Sequence, residues 1–137
     1  MEIDAITEKI IGGAYEVSNS WGSGFVEMVY QNALFHKIVS TGLCAKQEYQ
    51  MKVFYEGVLV GEFFADLLVE EQVLVEMKAV RELDDLQVVQ AMNYLKASGL
   101  PICLLLNFGR PKLEIRRLVP YNIWKQTNPH VLHRRSG

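Results

Sequence analysis

The chain has 137 residues and a formal net charge of −2, long enough for one domain with a proper core and too short for two. Half of its residues are apolar and 22% are charged, as in an ordinary soluble globular protein. No basic-then-apolar leader is visible and no apolar run approaches the roughly 20 residues that span a bilayer, so we expect a cytoplasmic protein without a membrane partner.

The small net charge hides an asymmetry. Residues 1–95 carry 6 basic and 15 acidic side chains, whereas residues 96–137 carry 8 basic and 1 acidic. A basic surface beside an acidic one suits a protein that holds a polyanion near a metal; a solvated basic tail accounts for it equally well. Cys44 and Cys103 are far apart and lack a CxxC partner, so they read as reduced, partly buried thiols.

In chain order, Ile3, Ile6, Ile10, Ala14 and Val17 recur at helical spacing and predict an amphipathic helix over 2–18, stopped by "NSWGSG". A second helix is predicted over 25–41, ending at Gly42. The period then changes to two. Strands are predicted over 46–55 and 58–69, joined by a Glu56–Gly57 hairpin turn, and over 73–79 after the turn "EEQ". A helix from near Asp84 to before Gly99 leads to the continuous apolar run "ICLLLNF" (102–108), expected to be a central strand. "KLEIRRLV" (112–119) supplies a last strand, and residues 121–137 read as a polar C-terminal tail beyond a single domain over 1–120. The strand, helix, strand unit over 73–108 requires a crossover and therefore two parallel strands. The expected architecture is an α/β sandwich around a mixed sheet, in the order α-α-β-β-β-α-β-β.

One feature of the third strand is out of place. Glu76 and Lys78 interrupt an otherwise apolar stretch, "VLVEMKA", although ionised groups are seldom buried unless paired or bound to metal. If "EEQ" is a three-residue loop, Val69 pairs with Val73, and Asp66 falls opposite Glu76. Asp66, Glu76 and Lys78 then share one face, with Phe63, Ala65, Leu67, Val69, Val73, Val75 and Met77 on the other. At an effective dielectric near 20, two carboxylates ~5 Å apart repel by roughly 3 kcal/mol. A shared proton, a structural ion pair with Lys78, or a divalent cation would each offset this.

These residues resemble a known pattern. "AD" at 65–66 followed by "EMK" at 76–78 is similar to the core of PD-(D/E)xK nucleases, with Ala65 in place of the proline. "GFVEMVY" (24–30) matches the GxxExxY signature of a family of small bacterial and archaeal proteins, and "QAMNY" (90–94) resembles the QxxxY element of exonuclease-like members. The similarity covers roughly residues 5–119. It implies a restriction-endonuclease-like fold and metal-dependent hydrolysis of phosphodiester bonds, with DNA ahead of RNA as substrate. It further implies Mg²⁺ or Mn²⁺ held by Glu27, Asp66 and Glu76, and a catalytic set of Asp66, Glu76, Lys78, Gln90 and Tyr94. Taken without the resemblance, Glu27 reads as a helix-surface residue. Gln90 and Tyr94 lie nearly opposite the buried stripe of their helix, facing either a polar cleft or water.

Arg110, Lys112, Arg116 and Arg117 are candidate phosphate contacts, or a charged edge strand. His36 reads as a helix-surface residue, and His130 and His133 lack the partners a zinc site needs. The alternative function is a catalytically silent module of the same fold that binds nucleic acid or a protein. With little room for a substrate-selecting domain, a homo-oligomer or a larger complex is expected.

Overall fold

A computed structural model describes residues 1–120 and 122. The predicted tail over 121–137, with His130 and His133, otherwise lies outside the described residues. The elements follow the expected order: α1 (Ile3–Trp21), α2 (Glu27–Ser40), β1 (Ala45–Tyr55), β2 (Val58–Val69), β3 (Val73–Lys78), α3 (Asp85–Ser98), β4 (Ile102–Asn107) and β5 (Glu114–Leu118). Among the described residues no helix is long and apolar enough to cross a membrane.

Local chemistry explains the boundaries. Asp84 caps α3 by accepting from the Gln87 backbone, while the Gln87 side chain accepts from the Asp84 N–H. The helix stops at Gly99, which adopts the left-handed conformation at φ 69°. Glu56 and Gly57 both take positive φ, 50° and 80°, as the turn between β1 and β2 requires. Helix α1 runs three residues past the predicted end and stops at Gly22, and β5 is shorter than expected, so Lys112 falls in the preceding turn.

The five strands lie in sequence order across one sheet, with β3 and β4 parallel and every other neighbour antiparallel. Helices α1 and α2 cover one face, where Ile6, Ile10, Leu34 and Ile38 pack on Leu67, Val75, Leu104 and Leu106. Helix α3 covers the other, with Ala91 and Leu95 against Leu68, Leu74 and Cys103. Cys103 is buried as expected, whereas Cys44 is exposed rather than partly buried because it precedes β1 at the sheet edge; neither forms a disulfide.

The expected hairpin register holds, with Val69 paired to Val73 and Leu67 to Val75. The strict alternation does not. Leu67 and Val69 belong to the core under α1 and α2, but Ala65 packs under α3 and Phe63 touches Tyr94 of α3. Ala65 and Phe63 therefore leave the face predicted for them. The pleat of β2 reverses across Asp66, and β1 reverses at the same level, where Glu48 takes a φ of 51°.

The end of β3 is clamped by the end of β4. The buried Asn107 side chain accepts from the N–H of Val80 and of Gly109, and donates to the Val80 carbonyl and to Glu114. A methyl group on Gly109 would lie 2.2 Å from the Val80 oxygen and 2.7 Å from the Ala79 carbonyl carbon, both backbone atoms. Gly109→Ala is therefore expected to cost at least about 2–3 kcal/mol, read from the denaturant midpoint, because backbone cannot yield as a side-chain tip can.

Candidate active site

The ladder between β2 and β3 ends at Leu67 and Val75. One residue further on, side chains replace backbone. Glu76 Oε1 accepts from the Asp66 N–H at 2.9 Å, and Asp66 Oδ2 accepts from the Met77 N–H at 2.7 Å. Each carboxylate thus satisfies the opposite strand's backbone with one oxygen and keeps the other. Glu76 is 5% exposed, and Asp66 and Lys78 are half-buried.

Burial pushes the Glu76 carboxyl up to about 8, reinforced by the charge of Asp66 and opposed by the hydrogen bond from Asp66 and by Lys78. Burial likewise raises Asp66, to about 6, against the Met77 hydrogen bond; the charges of Glu48 and Glu27 push the same way. Lys78 is absent from the ion pairs among the described residues. Its charge acts on the two acids from a distance, without the contact that a structural Glu76–Lys78 pair would make.

Glu27 is the first residue of α2, and its placement rests on Tyr30. The fully buried Tyr30 ring stacks on Phe108 with centroids 4.6 Å apart, and its hydroxyl donates to the Gly22 carbonyl and accepts from the Phe25 N–H. Gly24 between them adopts φ 113°, which a side chain disfavours. The three marked residues of "GFVEMVY" divide the work: Gly24 turns the loop, Tyr30 fastens it, and Glu27 projects from the helix that follows.

Glu27 and Asp66 line a common cleft of about 590 Å³ with Gln31 and Glu48, under an apolar lip of Phe25, Val26 and Met28. Glu48 is held there by the Gln31 side chain, which donates to it at 3.0 Å. Sequence reasoning missed Glu48 for a specific reason. A two-residue turn pairs Tyr55 with Val58 and would place Glu48 opposite Ala65, but the register shifts by one beyond Phe54, leaving Glu48 level with Asp66. No local signal in the sequence marks that bulge.

Other expected site residues are dispersed. Tyr94 lies half-buried on α3 against Phe63, close enough for burial and the charges of Glu76 and Asp66 to raise its pKa. Gln90 is exposed. Arg116 sits on the row Glu76, Leu105, Arg116 across β3, β4 and β5, 3.9 Å from Glu114, and Arg110 is 3.8 Å from the same carboxylate. Arg117 faces away from that row, donating to Asp4 and Thr7 of α1. Lys112 is exposed.

Among the described residues no three acidic, histidine or cysteine side chains are gathered closely enough to hold a metal as they stand. The donor chemistry nevertheless fits a hard divalent cation: Asp66, Glu76, Glu27 and Glu48 offer only carboxylate oxygens, and two of these acids are raised by burial and by neighbouring negative charge that a cation would relieve.

The family model described as the PD-(D/E)XK nuclease superfamily matches residues 4–118. Curated proteins give no match. A solved structure described as "Crystal structure of SSO0001" aligns over 84% of this chain with 12% identity and a TM-score of 0.45; the alignment covers 65% of that chain.

Two outcomes are expected from this geometry. Tyr30→Phe loses both hydroxyl contacts and should cost about 1–3 kcal/mol in denaturant unfolding. For Glu76, a folded-state pKa near 8 lies above the ordinary 4.5, so the folded protein keeps a proton that the unfolded chain has released. Stability from this group is present below 4.5 and is lost as pH rises toward 8. With chelator present, the unfolding free energy of the wild type, read from denaturant titrations, should fall across that window more steeply than that of Glu76→Gln, by up to about 1.4 kcal/mol per pH unit. Parallel curves would refute the buried neutral acid.

Proposed function

The chain belongs to the PD-(D/E)XK nuclease superfamily, and from that premise we propose that it hydrolyses phosphodiester bonds in DNA at the cleft between α2 and the parting of β2 and β3. The observation that carries the reading is the reciprocal pair Asp66–Glu76, with Lys78 two residues further along the same strand. Structural use alone leaves unexplained why two acids should be placed where each raises the other's cost. Asp66, Glu76 and Glu27 would hold Mg²⁺ or Mn²⁺, with Glu48 at the same cleft. The chemistry such an ion supplies when bound is polarisation of the phosphate and activation of water.

The chain's own residues would do the rest. Lys78 carries three ammonium donors and would orient the attacking water and neutralise charge on the scissile phosphate. Tyr94 would donate to a phosphate oxygen or stack on a base, its raised pKa keeping the phenol protonated. Gln90 would reach substrate from the exposed side of α3. Arg110, Lys112 and Arg116 would contact flanking phosphates, whereas Arg117 would need to leave Asp4 to do so.

The uncollected carboxylates favour a second reading, a catalytically silent nuclease-fold module that binds nucleic acid or a protein. Calorimetric titration with Mg²⁺ and Mn²⁺, paired with cleavage assays on single- and double-stranded DNA and on RNA, separates the two. We expect binding and DNA cleavage in the wild type, loss of both in Asp66→Ala, and metal binding with at least about 100-fold slower cleavage in Lys78→Ala. Metal binding without cleavage of any substrate would select the silent module, and unchanged metal binding in Asp66→Ala would refute the site.

A further inference from the structure

Strands β1 and β2 have 11 and 12 residues, but β3 has 6 and pairs with β2 only over Leu67–Val69. Residues 49–64 therefore form a two-stranded ribbon with no third strand beside it. Such a ribbon is marginal in water unless a face is covered. Here both faces carry exposed apolar side chains. From the pairing of Tyr55 with Val58 and of Phe54 with Leu59, one face presents Tyr55, Val58 and Phe63, and the other Phe54, Leu59 and Phe64. Phe54 is 60% exposed, Tyr55 67%, Val58 62% and Phe64 51%.

With an aromatic side chain offering roughly 150–250 Å², these residues and their neighbours leave roughly 600–700 Å² of apolar surface on one ribbon. Divided between two opposite faces, this surface approaches the roughly 800 Å² per partner of a standard interface only where a partner covers both. Charge indicates the occupant. Residues 50–64 carry one basic and two acidic side chains, within a half of the chain that carries 15 acidic and 6 basic. A polyanion finds one cation there, Lys52, which sits opposite Glu62 in the strand register. Each copy of the arm carries a net charge of only −1, and the Lys52 and Glu62 of one can face the Glu62 and Lys52 of the other, as a two-fold contact requires.

We infer that the β1–β2 arm is a homodimer interface that clasps a second copy of this chain. Because Phe63 on the arm touches Tyr94, the clasp borders the α3 side of the candidate active site without supplying any of its carboxylates. The inference does not depend on nuclease activity, since its readout is mass.

Sedimentation equilibrium of the full chain should give twice the 15.6 kDa chain mass at micromolar concentration. Two double variants test the two faces separately: Tyr55→Ser with Val58→Ser, and Phe54→Ser with Leu59→Ser. Each should raise the dimer dissociation constant at least tenfold, with the thermal melt of the dissociated chain still cooperative. A wild type of single-chain mass overturns the inference; if the same variants then weaken oligonucleotide binding, the arm belongs to nucleic acid instead. A dimer that both variants leave intact overturns the assignment to the arm.

Discussion

The structure turns on an exchange between two carboxylates and two backbone N–H groups. Where β2 and β3 part, Glu76 takes the Asp66 N–H and Asp66 takes the Met77 N–H, so the strands separate without leaving buried donors unpaired. Ser, Asn or Gln could accept the same bonds without charge. Using two acids keeps a spare oxygen on each and raises both pKa values, so the separation is held at an electrostatic cost. The reversal of the pleat at Asp66 and the positive φ of Glu48 lie at this same level of the sheet. Asp66 there lines the cleft with Glu27 of α2, while its charge and that of Glu76 also act on Tyr94 of α3.

An arrangement strained in this way needs rigid supports, and two are present. Tyr30 ties the loop before α2 to Phe108 at the end of β4, and Asn107 with Gly109 ties β4 to the end of β3 just past Lys78. Both ties meet within residues 107–109. The lysine strand and the Glu27 helix are thus referred to one short segment, so a disturbance there displaces both sides of the cleft together. Satisfied buried polar groups make such a support stiff, because every alternative leaves a donor or acceptor in a low-dielectric interior.

Much of this was legible in the sequence because it rests on periodicity and local chemistry. The alternation and length of the 58–69 and 73–78 segments set the hairpin register, and Asp84 and Gly99 marked the ends of α3. What escaped notice depends on one-residue irregularities. The bulge beyond Phe54 moves Glu48 level with Asp66, and the reversed pleat sends Ala65 and Phe63 to the α3 face. A period-two reading has no term for either, since a bulge is settled by packing of distant elements. Arg117 likewise looked equivalent to Arg116, but successive strand residues point to opposite faces, and only the packed structure shows that α1 brings Asp4 and Thr7 to one of them.

The charge distribution bears on how such a site would meet a phosphate. The first 95 residues carry a surplus of nine negative charges, and Glu27, Glu48 and Asp66 concentrate part of that surplus around one opening, with the buried Glu76 bonded to the Asp66 N–H beside it. An anionic backbone approaching this cluster of acids is repelled by their negative charge, so neutralising part of it eases entry. A proton on Glu76 does this, and burial already favours it. A divalent cation does it with twice the charge and without removing the oxygen lone pairs that would bind it. In the proposed reading the two compete for the same carboxylates, so the pair that destabilises the empty protein as pH rises is the pair that makes a cation welcome.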